Sequence, residues 1–294
     1  MNFVAIIVTY NRKELLKKNI TCLLNQSYKD FDILIIDNHS TDNTKSYISD
    51  FLDNERISYV DTGDNLGGAG GFQFGIKEAL KGNYDYVWLM DDDSMPRPEA
   101  LMNLVSYIEK NKEFGFLSSK VLWKDNELCS MNIQRESLTK NVSDFTYEVI
   151  PIVIASFVSL LVPVEVIKEI GLPIKEFFIW TDDWEYTRRI SRKYDSYLIT
   201  DSEVVHETNT NNGANIATDC EERIERYKYA YRNEVYLYRR EGVKGFLHIL
   251  LRTPLHIARV LRYSRTKKLY RIGIIIKSTL EGIWFKPEIE FWGK

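Results

Sequence analysis

Residues 84–93 place the strongest constraint on how this chain can fold. Residues 84–90 are mostly apolar, aromatic or β-branched, which predicts a buried strand, and Asp91, Asp92 and Asp93 follow directly. Because adjacent carboxylates repel one another, their place after a buried strand indicates that a cation binds there. In an extended chain Asp91 and Asp93 share one side, which suits a divalent ion, and oxygen ligands favour Mg²⁺ or Mn²⁺. The alternative is that the acids cap the next helix.

Strands and helices alternate along the chain. Near-continuous apolar runs predict strands at residues 3–8, 31–36 and 57–60, with helices at 13–25 and 44–52 between them. This alternation predicts an α/β fold with an open, mostly parallel sheet flanked by helices. Further strands are predicted at 116–123, 196–200 and 203–206, helices at 164–170 and 182–192, a loop at 124–148, and mainly helices after residue 220.

The ends of these strands carry the candidate binding residues. Ligands of open α/β sheets bind outside the carboxyl ends of the strands, so Tyr10, Asp37, the glycine-rich stretch 63–71 and the three acids should share one crevice. The glycine spacing fits neither a dinucleotide fingerprint nor a P-loop. It leaves a flexible turn, or a backbone that approaches a nucleotide diphosphate with help from Asn65. Asp37 either accepts a hydrogen bond from the imide of uracil or thymine, or caps the following helix.

A second acidic cluster opens the predicted helix at 182–192. Asp182 and Asp183 are interpreted either as helix-capping acids or as a general base that takes a proton from an attacking hydroxyl. His206 ends a predicted strand and faces a polar loop, so we expect it to join the two carboxylates as a metal ligand.

The remaining chain is basic and helical. Residues 223–277 contain many more basic than acidic residues, interleaved with tyrosine, leucine and isoleucine. Three open interpretations are helices packed on the catalytic part, a second subunit of a homo-oligomer, or attachment to an anionic membrane surface. No RNA or DNA motif accompanies the basic residues, so we expect no nucleic-acid partner. We predict a catalytic domain at 1–215 and a basic helical segment at 216–294.

Cysteine usage and the N-terminus indicate the compartment. Three cysteines without paired spacing predict a reducing environment and no disulfide framework. The chain enters a strand directly, without a secretory signal, and has no apolar run long enough to span a membrane. We therefore expect a cytoplasmic protein, peripheral on the inner face of the cell membrane.

Five motifs in order resemble the family 2 glycosyltransferases of GT-A fold, over about residues 1–210. They are VTYNR at 8–12, DNHSTDNT at 37–44, NLGG at 65–68, WLMDDDSMP at 88–96 and DDWEY at 182–186. The combination of GGAGGF with WLMDDD most resembles the galactofuranosyltransferase-like subgroup, which also contains rhamnosyltransferases. One departure is His39, where the family usually has a small residue.

The resemblance implies an inverting, metal-dependent transfer from a nucleotide-diphosphate sugar. By similarity, Asp91, Asp93 and His206 hold Mn²⁺ or Mg²⁺, and Asp183, the second acid of its pair, is the base. The residues expected around the nucleoside and diphosphate are Thr9, Tyr10, Arg12, Asp37, Asn65, Gly67, Gly68 and Asp92, the last near the ribose. The residues expected around the acceptor are Trp180, Trp184 and Glu185.

The expected reaction moves galactofuranose from UDP-galactofuranose to a hydroxyl of a lipid-linked or surface polysaccharide. One alternative is a rhamnosyltransferase that uses dTDP-rhamnose. Another is a non-catalytic protein of the same fold that binds sugar nucleotides or acts as a scaffold. The second acidic cluster argues against this last possibility, because a binding protein has no use for a base opposite the metal. A nucleotidyltransferase should carry an N-terminal glycine-rich phosphate loop, which the sequence lacks.

Overall fold

The computed structural model describes residues 1–293, which form a nine-stranded sheet flanked by helices. The first part contains β1 (Phe3–Thr9), α1 (Lys13–Leu24), β2 (Phe31–Asp37), α2 (Thr44–Tyr47), α3 (Ser49–Leu52), β3 (Ile57–Asp61), α4 (Gly67–Ala79), β4 (Tyr86–Asp91), β5 (Ser94–Pro96), α5 (Ala100–Lys110) and β6 (Leu117–Leu122). The second part contains β7 (Val149–Pro151), β8 (Leu160–Pro163), α6 (Val164–Ile170), a 3₁₀ helix (Lys175–Phe177), α7 (Asp182–Ser191), β9 (Tyr197–His206), a 3₁₀ helix (Glu221–Arg226), α8 (Tyr227–Tyr238), α9 (Gly242–Tyr263) and α10 (Lys268–Trp284).

The strands lie in the order β3-β2-β1-β4-β8-β6-β9-β5, with β7 also paired to β9. The four strands from β3 to β4 are parallel, as predicted, and their register places Thr9 beside Asp37 and Val8 beside Asp91. The carboxyl ends of these strands therefore meet at one edge. The second half of the sheet is mixed, because β8 runs antiparallel to both of its neighbours. The predicted α/β fold class is confirmed.

Apolar side chains cover both faces of the sheet, as the continuous apolar runs predict. Along β1, Val4 and Ile6 belong to one core cluster and Ala5 and Ile7 to the other. Both clusters are buried under helices, so the strand ends are held between two packed layers.

Three predicted elements differ from the structure. The helix predicted at 44–52 is interrupted at Ile48, and the strands predicted at 196–200 and 203–206 form the single strand β9. Only the first part of the glycine-rich stretch, residues 63–66, is a turn, because Gly67 begins α4. Within residues 1–293, no helix combines the length and apolar character needed to cross a membrane.

Candidate active site

Strand pairing brings the acid triplet beside His206. Asp91 ends β4, and Ser94 begins β5 and pairs with His206 of β9 in antiparallel register. As a result, Asp93 Oδ1 lies 3.0 Å from His206 Nε2. One ligand atom each from Asp91, Asp93 and His206 lie within 4.8 Å of one another. The three residues predicted as metal ligands are therefore adjacent.

Asp92 faces the residues that follow β1. Its carboxylate accepts a hydrogen bond from Thr9 Oγ1 at 2.8 Å and another from Arg12 Nη1 at 3.3 Å. The same Arg12 nitrogen donates to Asp93 Oδ2 at 2.6 Å. Arg12 thus links the second and third acids of the triplet, and its side chain is half-exposed.

His206 is oriented by a residue that the sequence analysis did not identify. Its Nδ1 lies 2.8 Å from Asn132 Oδ1, which fixes the ring so that Nε2 faces the acids. Asn132 comes from the loop between β6 and β7, where the sequence shows no periodicity and no motif. The sequence predicts only that Asn132 lies in the loop at 124–148.

The buried acids give the site an excess of negative charge. Burial raises the pKa of Asp91 to about 6 and that of Asp92 to about 7. Burial acts in the same direction on Asp93, but hydrogen bonds from His206 and Arg12 outweigh it and lower its pKa. Burial lowers the pKa of His206, whereas its contacts with Asp93 raise it, with a net value of about 10. A divalent cation would relieve this repulsion, so carboxylates and imidazole form a donor set that fits Mn²⁺ or Mg²⁺.

The second acidic cluster lies near the first. Asp182 and Asp183 begin α7, and Asp183 Oδ1 accepts a hydrogen bond from the Trp184 N–H at 2.8 Å. Burial raises the pKa of Asp182 to about 7, and burial together with Asp182 holds the pKa of Asp183 well above its ordinary value. The charge of Asp91 contributes to both shifts, which places the pair within electrostatic reach of the triplet. A raised pKa suits a group that must bind a proton during a reaction.

Glu185, which the resemblance places near the acceptor, is buried and paired within the protein. Its buried carboxylate accepts hydrogen bonds from Arg189 Nε at 3.0 Å and Nη2 at 2.9 Å, one helical turn away. Arg189 also donates to the backbone carbonyls of Ile170 and Leu172. Since this network occupies the carboxylate, Glu185 serves to join α7 to α6.

The two tryptophans predicted to contact the acceptor have protein partners but remain partly exposed. The guanidinium of Arg135 lies 3.8 Å from the centre of the Trp184 ring. Trp180 packs against Tyr227 of α8, with ring centres 5.0 Å apart. Both rings are half-buried, so each keeps a surface that a sugar could contact.

The residues expected around the nucleoside cluster at the ends of β2 and β3. Asp37 is buried, and its carboxylate accepts hydrogen bonds from the Ser40 N–H at 2.8 Å and from the Tyr59 hydroxyl. Asp37 therefore organises this loop rather than capping a helix. His39, the departure from the family pattern, pairs with the exposed Asp61 at 3.1 Å. Tyr10 is exposed beside them and is 41% accessible.

Several glycines of α4 allow close packing of the helix against its neighbours. Gly67 has φ of 71°, and a side chain there would collide with the Phe178 backbone. Asn65 Oδ1 accepts the Gly67 N–H at 2.9 Å and so secures the helix start. A Cβ on Gly71 would lie 2.6 Å from Val8 Cγ1, so this glycine lets the helix approach β1. Gly68 has open space around it and stays a candidate for ligand contact.

Comparisons with known proteins agree with this geometry. The family model described as glycosyl transferase family 2 matches residues 4–169, more than half of the chain. The galactofuranosyltransferase GlfT1 of Mycolicibacterium smegmatis is 23% identical over 260 residues, which is 83% of this chain and 85% of that protein. The poly-beta-1,6-N-acetyl-D-glucosamine synthase of Staphylococcus epidermidis is 31% identical over 110 residues, which is 37% of this chain and 26% of the synthase.

Solved structures share the fold. TarS 1–349 of S. aureus superposes with a TM-score of 0.58 at 14% identity, covering 97% of this chain and 72% of that one. The mannosyltransferase PcManGT from Pyrobaculum calidifontis, in complex with GDP-Man and Mn²⁺, gives 0.57 at 14% identity, covering 97% and 75%. The fold and the acid-lined edge thus define a GT-A glycosyltransferase. The chain belongs to glycosyl transferase family 2, as its motifs predict.

Proposed function

We propose that this enzyme transfers galactofuranose from UDP-galactofuranose, with inversion, to a hydroxyl of a lipid-linked or surface polysaccharide. The observation that carries the proposal is that the charge of Asp91, in the Asp91–Asp93–His206 group, raises the pKa of both Asp182 and Asp183, so the two acidic clusters lie near each other. The similarity to GlfT1 extends over 83% of the chain and supports galactofuranose as the sugar. A structure of TarS 1–349 in complex with UDP has the same fold, which supports a UDP donor.

The chain's own residues account for donor binding. Asp91, Asp93 and His206 would hold Mn²⁺ or Mg²⁺, which when bound neutralises the charge that develops on the leaving diphosphate. Arg12 contacts the acids in this structure and is free to turn toward the diphosphate, because its side chain is 51% exposed. Thr9 holds Asp92 near the expected position of the ribose. Asp37 lies beside the expected position of the nucleoside base.

Asp183 is the proposed base. As the acceptor hydroxyl attacks the anomeric carbon, Asp183 takes its proton, and the bond from that carbon to the diphosphate oxygen breaks on the opposite face. One carboxylate is sufficient, because the departing diphosphate needs no protein acid. Trp180 and Trp184 flank the pair and would provide the faces on which an acceptor sugar stacks.

Two measurements test this reaction. We expect UDP-galactofuranose with Mn²⁺ to raise the melting temperature more than UDP-glucose, UDP-N-acetylglucosamine or dTDP-rhamnose, since a preferred donor stabilises the folded state by mass action. A larger shift with dTDP-rhamnose would refute the sugar assignment. We also expect Asp183→Asn to abolish transfer to an octyl galactofuranoside and to keep donor binding. The control Asp195→Asn makes the same change on an exposed carboxylate after α7, and near-normal turnover in Asp183→Asn would refute the base assignment.

We further propose that the C-terminal helices attach the enzyme to an anionic membrane. Fourteen of the nineteen exposed large hydrophobic residues described in residues 1–293 lie between Val243 and Trp284, on α9 and α10. We name these fourteen the α9–α10 apolar surface. Residues 242–284 carry nine Lys or Arg and only Glu281 as an acid. Anionic lipids would match both properties, whereas a second copy of this chain would bring like charges together.

Vesicle co-sedimentation tests this attachment in the full chain. We expect binding to phosphatidylglycerol vesicles and little binding to phosphatidylcholine vesicles. The double variant Phe246→Ser and Trp284→Ser removes side chains that are 63% and 78% exposed and should weaken binding. Tyr147→Ser, at a residue 66% exposed outside this surface, is the matched control. Unchanged binding by the double variant, or a concentration-dependent dimer that it abolishes, would refute the proposal.

A further inference from the structure

The segment before the catalytic acids has an unusual backbone. Between the 3₁₀ helix and α7, Phe178, Trp180 and Thr181 have φ angles of 63°, 65° and 70°. The Ile179 N–H donates to the Phe177 carbonyl at 2.7 Å, which makes Phe178 the centre of a γ-turn with positive φ. Such conformations are rare for residues other than glycine and persist only when their surroundings enforce them. This turn, residues 177–181, leads directly into Asp182 and Asp183.

One buried side chain of α8 holds the turn. Asn233 is fully buried, and its Nδ2 donates to the backbone carbonyls of Phe177 at 2.9 Å, Ile179 at 3.2 Å and Trp180 at 2.9 Å. These carbonyls point to one nitrogen because the positive φ angles turn the chain around it. Asparagine is a poor residue for the middle of a helix, and a buried amide is costly without partners. Its presence at this position is explained by the turn that it holds.

Neighbouring residues of α8 fix the orientation of this amide. Asn233 Oδ1 accepts hydrogen bonds from Arg232 Nε at 3.1 Å and Nη2 at 2.9 Å, so the NH₂ group must face the turn. Arg232 also donates to the Glu176 carbonyl, just before the turn. Tyr229 stacks on Phe178 with ring centres 4.9 Å apart. One face of α8 therefore covers the turn along its length.

We propose that Asn233 is a positioning residue, whose side-chain amide holds residues 177–181 in the conformation that aims Asp183 at the acceptor. This inference rests on the proposed role of Asp183 as the base. Asn233 lies in the segment predicted as a separate helical unit, at 216–294. Under this proposal the predicted catalytic domain, 1–215, and the predicted helical segment, 216–294, form one catalytic unit. The domain contains the proposed base, and the helical segment holds that base in position.

The variant Asn233→Ala tests the proposal. A small displacement of a reacting group is costly, so we expect kcat for transfer from UDP-galactofuranose to octyl galactofuranoside to fall about 10²-fold. The dissociation constant of UDP-galactofuranose with Mn²⁺ should not change, because the hydrogen bonds that hold Arg12, Asp92 and His206 do not involve residues 177–181. Amide hydrogen exchange of residues 178–183 should become faster, and this readout needs no substrate.

Gln73→Ala is the matched control. Gln73 is also a buried amide on a helix, and its Nε2 donates to the Pro173 carbonyl at 2.9 Å. We expect this variant to melt at a lower temperature while kcat and the exchange of residues 178–183 are retained. If Asn233→Ala does not fold, Asn233→Ser, which keeps one hydrogen-bond donor, is the substitute variant. It should lower kcat by a smaller factor and leave the dissociation constant of the donor unchanged.

Two results would overturn the proposal. One is a folded Asn233→Ala enzyme with wild-type kcat and unchanged exchange in the turn. The other is a loss of donor affinity that parallels the loss of kcat, which would indicate general destabilisation. If the wild-type enzyme were inactive with every sugar nucleotide, the proposed function would fail. The exchange measurement would then still decide whether Asn233 holds the turn.

Discussion

Replacing Gly75 by alanine tests the helix–sheet contact that sets the position of the site. Gly75 lies in α4, above β1 and β2, and a Cβ built on it falls 2.7 Å from Ile6 Cγ2 and 2.8 Å from Ile36 Cγ1. Both isoleucines are fully buried and β-branched, so they have little freedom to move aside. The helix must therefore shift away from the sheet.

The expected loss of stability follows from two opposing effects. Overpacking a well-packed core costs about 1–3 kcal/mol. Alanine in place of a helical glycine contributes about 0.5–1 kcal/mol in the other direction. We therefore expect Gly75→Ala to lower the free energy of unfolding by about 1–2 kcal/mol. Gly68→Ala, in the same helix, should have the opposite sign, because its Cβ meets only the Phe178 carbonyl, at 4.0 Å.

Thermal unfolding followed by circular dichroism measures both variants. Each kcal/mol shifts the melting temperature of a chain of this size by about 2–4 °C, so the two should move in opposite directions by a measurable amount. A Gly75→Ala protein as stable as the wild type would show that the helix is not held against the sheet at this point. It would also remove the packing explanation for the glycine-rich stretch.

Three further predictions concern the acids and their partners. Burial raises the pKa of Asp91 to about 6 and of Asp182 to about 7, so both bind protons more readily in the folded than in the unfolded chain. The free energy of unfolding of the metal-free protein should therefore fall as the pH rises from about 4 to about 8. Melting curves at both ends of this range should show that fall, with a larger stabilisation by Mn²⁺ at the higher pH; a rise in metal-free stability would contradict it. Arg189→Ala should cost about 3–5 kcal/mol in urea unfolding by leaving Glu185 buried without a partner, and a neutral effect would refute the pairing. Asn132→Ala should weaken Mn²⁺ binding about 10–100-fold in calorimetry, and unchanged affinity would remove its role in orienting the histidine ligand.

The strands that bear the site were predictable because their signal is local. A strand covered on both faces must be apolar at every position, and β1, β2 and β4 are apolar almost throughout. The polar residues that follow each run then fall at one edge of the sheet by topology alone. For this reason Asp37 and the acid triplet could be assigned to one crevice before their contacts were known.

Other parts of the site depend on contacts distant in sequence. No local pattern marks Asn132 or Asn233, whose partners lie 74 residues away in His206 and 53 to 56 residues away in the turn, respectively. The glycine-rich stretch predicts either a flexible turn or a backbone that approaches a diphosphate, and glycine is a poor helix former, so the helix that begins at Gly67 is not evident from the sequence. Close packing against the sheet explains glycines at positions 71 and 75 of this helix. The role of Glu185 was in fact visible in the sequence, since Arg189 follows at the spacing of a helical ion pair.

The C-terminal helices connect the proposed membrane surface to the proposed base through a single helix. On one side α8 covers the turn that precedes Asp183. On its other side α10 packs so closely that a Cβ on Gly282 would lie 2.6 Å from Val235 Cβ and 2.7 Å from the Arg232 carbonyl. Because Arg232 also fixes the amide of Asn233, a displacement of α10 would reach the turn through rigid contacts. Under the proposed function, an enzyme that acts on lipid-linked acceptors would gain from this arrangement, since a helix that would meet the membrane packs on the helix that positions the proposed base.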